Sequence, residues 1–155
     1  MAVMGSGGKA GTSTPDGGQQ HNRRRTVVMQ VAAEASELPP LRLVAADMAA
    51  RADFDLDTVE DLRLAVDEAA AELVAVAAAD AILTCTLSLD AVQMEVTASV
   101  PTKPGARVRR DSFGWRVLTT LVDEVEVTGE PDSDCPVLSI TLIKRCHDET
   151  VAQRW

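Results

Sequence analysis

The residues with the clearest capacity for chemistry are three acids on one predicted helix. The stretch Leu62–Ala79, reading LRLAVDEAAAELVAVAAA, repeats apolar side chains at Leu62, Ala65, Val66, Ala69, Leu73, Val76 and Ala77. That is helical spacing with a single apolar face. At about 100° per residue, Asp61, Glu68 and Glu72 fall along one border of that face. Two carboxylates at i and i+4 repel each other by roughly 0.2–0.5 kcal/mol. The border therefore faces water, or it meets a cation, a metal or a basic partner. The helix is expected to begin at Asp57, with Asp57 and Glu60 as a capping box.

A second group of candidates lies in Pro101–Asp111, PTKPGARVRRD, a loop that carries the internal basic cluster Lys103, Arg107, Arg109 and Arg110. Beyond these two groups the chemistry is sparse. His21 and His147 sit near the ends of the chain, so no histidine-based triad or zinc site is assembled locally. There is no P-loop, no Rossmann glycine pattern and no nucleophile elbow. Cys85, Cys135 and Cys146 are odd in number and have no metal-like spacing. They read as small hydrophobes, Cys85 buried in a strand and Cys135 in a polar turn; a redox role for one of them is the alternative.

The 155 residues suffice for one domain with a real core, and with 3% aromatics that core must come from Val, Leu, Ile and Ala. A net charge of −9 argues against non-specific nucleic-acid binding. It leaves open a basic protein partner, or a nucleotide carried with Mg²⁺. No apolar run approaches the roughly 20 residues of a membrane span, and the N-terminus lacks a signal pattern, so a cytoplasmic setting is expected.

The elements that must position these residues follow from periodicity. Residues 1–25 read as a disordered tail rich in Gly, Ser, Thr, Pro and Gln and closed by Arg23-Arg24-Arg25. Thr26–Ala32 is a strand. A helix starts at Pro39-Pro40 and runs to about Ala52. The acidic helix follows. Ala81–Leu89 and Val92–Ser99 alternate and form a hairpin through Asp90-Ala91. After the basic loop, Asp111 or Ser112 caps a helix with apolar positions Phe113, Val117, Leu118, Leu121 and Val122. Glu124–Thr128 and Val137–Ile143 complete the sheet. Residues 145–155 form a charged C-terminal tail. The order β-α-α-β-β-α-β-β gives an α/β sandwich, with helices on one face of a mostly antiparallel sheet.

The run DLRLAVDEAAAEL (Asp61–Leu73), then a hairpin, a loop and DSFGWRVLTTLVDEVEV (Asp111–Val127), resembles anti-sigma factors of the RsbW/SpoIIAB type. These are serine kinases on the GHKL, or histidine-kinase-like, ATPase fold. The resemblance spans roughly residues 26–144 and is closest to actinobacterial members. It places Glu68 where the family has its catalytic acid. Glu72 stands where the family has the asparagine that holds Mg²⁺ on the phosphates of ATP. A carboxylate is a competent Mg²⁺ ligand, but it adds negative charge beside a triphosphate. The family's adenine-reading D-x-G-x-G corresponds to Ala98, Val100 and Thr102, so those contacts are lost. The phosphate-wrapping G-x-G is reduced to Ser112-Phe113-Gly114, of which Gly114 survives. Backbone N–H groups there could still bind phosphate. The plainer reading of Glu68 and Glu72 is a solvated border of a core helix.

The resemblance also implies partners. The family dimerises through its first helix and adjacent strand, clamps an alternative sigma factor, and is relieved by an anti-anti-sigma protein of the STAS type. An Arg on the first helix contacts the sigma factor. Aligning ELPPLRLVAAD (Glu37–Asp47) with that helix places Arg42 there, the plainer reading being a solvated helix face. Two functions are thereby expected as alternatives: a sigma-sequestering binding module with a degenerate nucleotide site, or a serine kinase that phosphorylates its antagonist.

Overall fold

The computed structural model describes residues 23–146, so most of the expected N-terminal tail and the residues after Cys146 lie outside it. The elements are β1 (Arg25–Ala32), α1 (Pro39–Arg51), α2 (Leu56–Val76), β2 (Ile82–Leu89), β3 (Gln93–Pro101), α3 (Phe113–Leu121), β4 (Glu124–Gly129) and β5 (Val137–Arg145), with a 3-10 turn at Ala35–Glu37. The sheet order is β1-β2-β3-β5-β4, and every neighbouring pair is antiparallel. The expected sandwich is therefore present. Its boundaries differ slightly: Arg25 belongs to β1 and β5 continues to Arg145.

Strict alternation explains the two faces of the sheet. Leu83, Cys85 and Leu87 of β2, Met94, Val96, Ala98 and Val100 of β3, and Leu138, Ile140 and Leu142 of β5 are buried. The intervening residues form a hydroxyl-rich outer face, where Thr26 and Ser88, and Thr97 and Thr141, lie within hydrogen-bond distance at 3.1 and 3.0 Å. The helices cover the inner face. Leu62, Ala65, Val66, Ala69 and Leu73 of α2 are at most 2% exposed. Each buried leucine contributes about 1.5–3 kcal/mol of transfer free energy.

Local polar groups fix the ends of the elements. Asp90 Oδ1 accepts from Val92 N and Gln93 N at 2.8 and 2.9 Å, closing the β2–β3 turn. These bonds to the ionised form hold its carboxyl below the usual range. At the end of α3, Lys144 Nζ donates to the Leu121 carbonyl at 3.1 Å, satisfying one of the helix's terminal acceptors.

Three sequence-based expectations need correction. The N-cap of α2 is Asp55, whose Oδ1 accepts from Thr58 N at 2.7 Å. Asp57 lies in the first turn, where a negative charge suits the helix dipole, and Glu60 pairs with Arg63 at 2.9 Å instead of closing a capping box. Secondly, α2 stops at Val76, because Ala77 bridges Thr102 and Ala78 N donates to the Pro101 carbonyl at 2.9 Å. Finally, Phe113 is 82% exposed, whereas Leu118 is fully buried. Five residues at about 100° each put these two side chains on different faces of α3.

Candidate functional site

α2 and α3 bring four of the candidate residues together. Ser112 caps α3: its Oγ accepts from Trp115 N at 3.1 Å. The same hydroxyl lies 3.1 Å from Glu72 Oε1, to which it can donate, and 3.0 Å from the Arg109 carbonyl. Gly114 follows in the first turn. A Cβ on Gly114 would fall under 3.0 Å from Glu68 Oε1 and Cδ, and 3.1 Å from Glu72 Oε1. The absence of a side chain is thus what lets the Glu68 carboxylate lie against the start of α3. The acidic border of α2, which repulsion alone would send into water, meets the electropositive N-terminus of another helix.

The electrostatics of this junction are one-sided. Glu68 has its carboxyl pushed above the ordinary range, first by partial burial and then by the charges of Glu72 and Asp67. A carboxyl raised by folding favours the folded state below its ordinary value of 4.5, and that contribution is lost as pH rises through the folded value. Glu68→Gln is therefore expected to raise the melting temperature at neutral pH and to leave it unchanged in acid below the ordinary carboxyl range. Thermal melts across pH check this, and a variant that is no more stable at neutral pH refutes it.

ATP with Mg²⁺, the cofactor that the resemblance implies, finds a poor fit here. Glu72 Oε1 is engaged by Ser112, and the Glu68 carboxylate lies on the Gly114 face, which is otherwise the natural seat of a phosphate. A triphosphate brought there with Mg²⁺ would meet two carboxylates, one negative charge more than a Glu–Asn pair presents. The residues that the resemblance sets at the adenine-reading motif lack its carboxylate and its glycines. Ala98 and Val100 are buried aliphatic side chains in the core. Thr102 is 4% exposed, and its Oγ1 is buried with no hydrogen-bond partner.

Arg42 lies elsewhere on the helical layer. Its Nη1 is 3.3 Å from Asp67 Oδ1, with the two side chains 39% and 38% exposed. The pair ties α1 to α2 next to Glu68 and holds the guanidinium in place. Asp67 was not singled out by spacing; it is the neighbour of Glu68, and only the packing of α1 on α2 reveals its partner. Leu43, beside Arg42, is 62% exposed.

The cysteines are apart from this site. Cys85 is buried, which pushes its thiol up to about 12 and leaves it no reactive thiolate near neutral pH. Cys135 is exposed and Cys146 half-buried. Among the described residues no helix is long and apolar enough to cross a membrane.

Comparison with known proteins agrees with this architecture. Residues 31–141 match the family of histidine kinase-like ATPase domains. The protein named anti-sigma-F factor RsbW, from two strains of Mycobacterium tuberculosis, is 35% identical over 139 residues, covering 88% of this chain and 82% of the relative. Taken with the α2–α3 junction and the single antiparallel sheet, these matches place the chain in the histidine kinase-like ATPase domain family, among the RsbW-type anti-sigma factors.

Proposed function

We propose that this protein binds and sequesters an alternative, stress-type sigma factor in the cytoplasm, without requiring ATP, and that a STAS-type anti-anti-sigma protein relieves it. The observation that carries this reading is the 35% identity over nearly the whole chain to a protein named as an anti-sigma factor. Independence from nucleotide is supported by the α2–α3 junction, where Glu68 and Glu72 supply the anion that faces Gly114 and Ser112. A homodimer through α1 and β1 is supported by the position of β1 at one edge of the sheet, its outer edge unpaired among the described residues. Val27 and Val28 of that strand are 37% and 60% exposed. Arg42 and the exposed Leu43 form the contact to the sigma factor.

The kinase alternative is supported by the resemblance, which sets Glu68 at the family's catalytic acid, and by a carboxyl raised above its ordinary range, which suits a general base. A pull-down with the host's alternative sigma factors, with and without Mg·ATP, separates the readings. A complex of equal stability in both conditions is the expected result. Failure to retain any sigma factor would sink the proposal. Transfer of labelled phosphate to the antagonist, abolished by Glu68→Ala, would restore the kinase.

A further inference from the structure

The basic loop takes no part in the α2–α3 junction except at its end, and it borders an open cavity on its other side. A space of about 300 Å³ lies between this loop and the ends of β4 and β5. This is the small end of the range of ligand pockets. Val108, Val127, Pro131 and Leu138 give it apolar walls, and Arg107 and Arg110 also line it. The framework is tied on both sides. Thr102 N donates to the Pro136 carbonyl and Gly105 N to the Pro131 carbonyl, each at 2.9 Å. Gly129, also in the lining, lets β4 approach β5 closely: a Cβ there would meet the Val137 carbonyl oxygen at 2.5 Å and Leu138 Cδ2 at 2.7 Å.

The charge of this cavity runs against that of the protein. The chain has 24 acidic against 15 basic side chains, yet among the described residues no Asp or Glu lines the space. Arg109, between the two lining arginines, pairs with Asp111 at 3.8 Å. Among the described residues, Arg107 and Arg110 have no carboxylate within 4.0 Å. Arg110 is positioned by Trp115, its guanidinium carbon 5.7 Å from the ring centroid. Two arginines in the lining beside apolar walls match a ligand with one anionic end and an apolar body. The planar fork of Arg suits a carboxylate in particular. A magnesium nucleotide is a poorer match, because no carboxylate in the lining would hold its metal.

We propose that this cavity binds a small organic carboxylate, with the carboxylate held by Arg107 and Arg110 and the apolar body seated against Val108, Val127 and Leu138. The site is independent of the sigma-binding reading and shares no residue with it. The test uses the full chain, with amide NMR shifts and calorimetry. The probes are 3-phenylpropionate, indole-3-acetate and hexanoate, with 3-phenylpropanamide, inorganic phosphate and Mg·ATP as comparisons. At least one carboxylate should bind saturably at millimolar concentration, with shifts centred on residues 106–110 and 127–129. The uncharged amide should bind at least about tenfold more weakly than its acid. The double substitution Arg107→Ala with Arg110→Ala should abolish the shifts while leaving the melting temperature unchanged. Absence of saturable binding by all three carboxylates overturns the proposal. So does equal binding of the amide, equal binding by the double variant, or a larger response in the same residues to phosphate or Mg·ATP.

Discussion

Leu118→Ala is expected to destabilise the protein by about 3 kcal/mol and to release α3 before the sheet unfolds. Leu118 is the one residue of α3 that is fully buried. Removing its side chain loses transfer free energy and leaves a cavity that the rigid α2 surface cannot fill, a combination that costs roughly 2–5 kcal/mol. For a chain of this size, that corresponds to a fall in melting temperature on the order of 10 °C. The other attachments of α3 are weaker. They are the half-buried Trp115 and Leu121, the Ser112–Glu72 hydrogen bond and the Lys144 contact to the Leu121 carbonyl. Denaturant unfolding measures the loss, and amide exchange locates it. Protection should fall first in residues 113–121 and then in the sheet. Uniform loss of protection would show that α3 is not a separable unit. Phe113→Ser is the companion variant. At 82% exposure, Phe113 should tolerate the change within about 0.5 kcal/mol.

That contrast marks where the sequence was legible. Phe113 and Leu118 are both apolar residues of one short helix, and composition gives them equal standing. Only the orientation of α3 on α2 separates them. The strands read clearly because each alternates, one set facing the helices and the other carrying hydroxyls, as in Leu83-Thr84-Cys85-Thr86. The buried stripe of α2 read clearly for the same reason at helical period. Its ends did not. Asp55 competes with Asp57 as cap, and three alanines at 77–79 favour continuing a helix that pairing with Pro101 and Thr102 breaks off. At the site, spacing alone left the acidic border of α2 with several possible partners. Its meeting with Ser112 and Gly114 joins residues 40 apart in sequence at Glu72 and Ser112, which no local pattern reports. The family resemblance supplied that juxtaposition. It did not supply the carboxylate of Glu68 resting against Gly114, or the pairing of Arg42 with Asp67, which depend on how side chains settle once the helices are packed.

Arg42→Glu is expected to weaken sigma-factor binding by about 2–5 kcal/mol, roughly thirtyfold or more in affinity, while changing folding stability by about 1 kcal/mol or less. The separation of the two effects follows from the environment of the residue. Arg42 and Asp67 are each more than a third exposed at a separation of 3.3 Å, so their mutual contribution to folding is screened and small. At an interface the same guanidinium would lose its water and face a partner carboxylate, where reversing the charge leaves two like charges in contact. Asp67 then acts as a positioning residue, holding the guanidinium on the surface of α1 before the partner arrives. Asp67→Asn should therefore bind within about tenfold of the parent, the loss coming from a less ordered arginine. Pairing Arg42→Glu with Asp67→Arg tests the distinction. The reversed pair should restore stability, because its two members still attract, yet binding should stay weak because the charge presented from position 42 is still negative. Calorimetric affinities of the four proteins for one sigma factor, alongside their melting temperatures, give both readouts. Unchanged affinity in Arg42→Glu removes this residue from the interface. Recovery of binding in the reversed pair would mean that the ion pair serves only to brace α1 against α2.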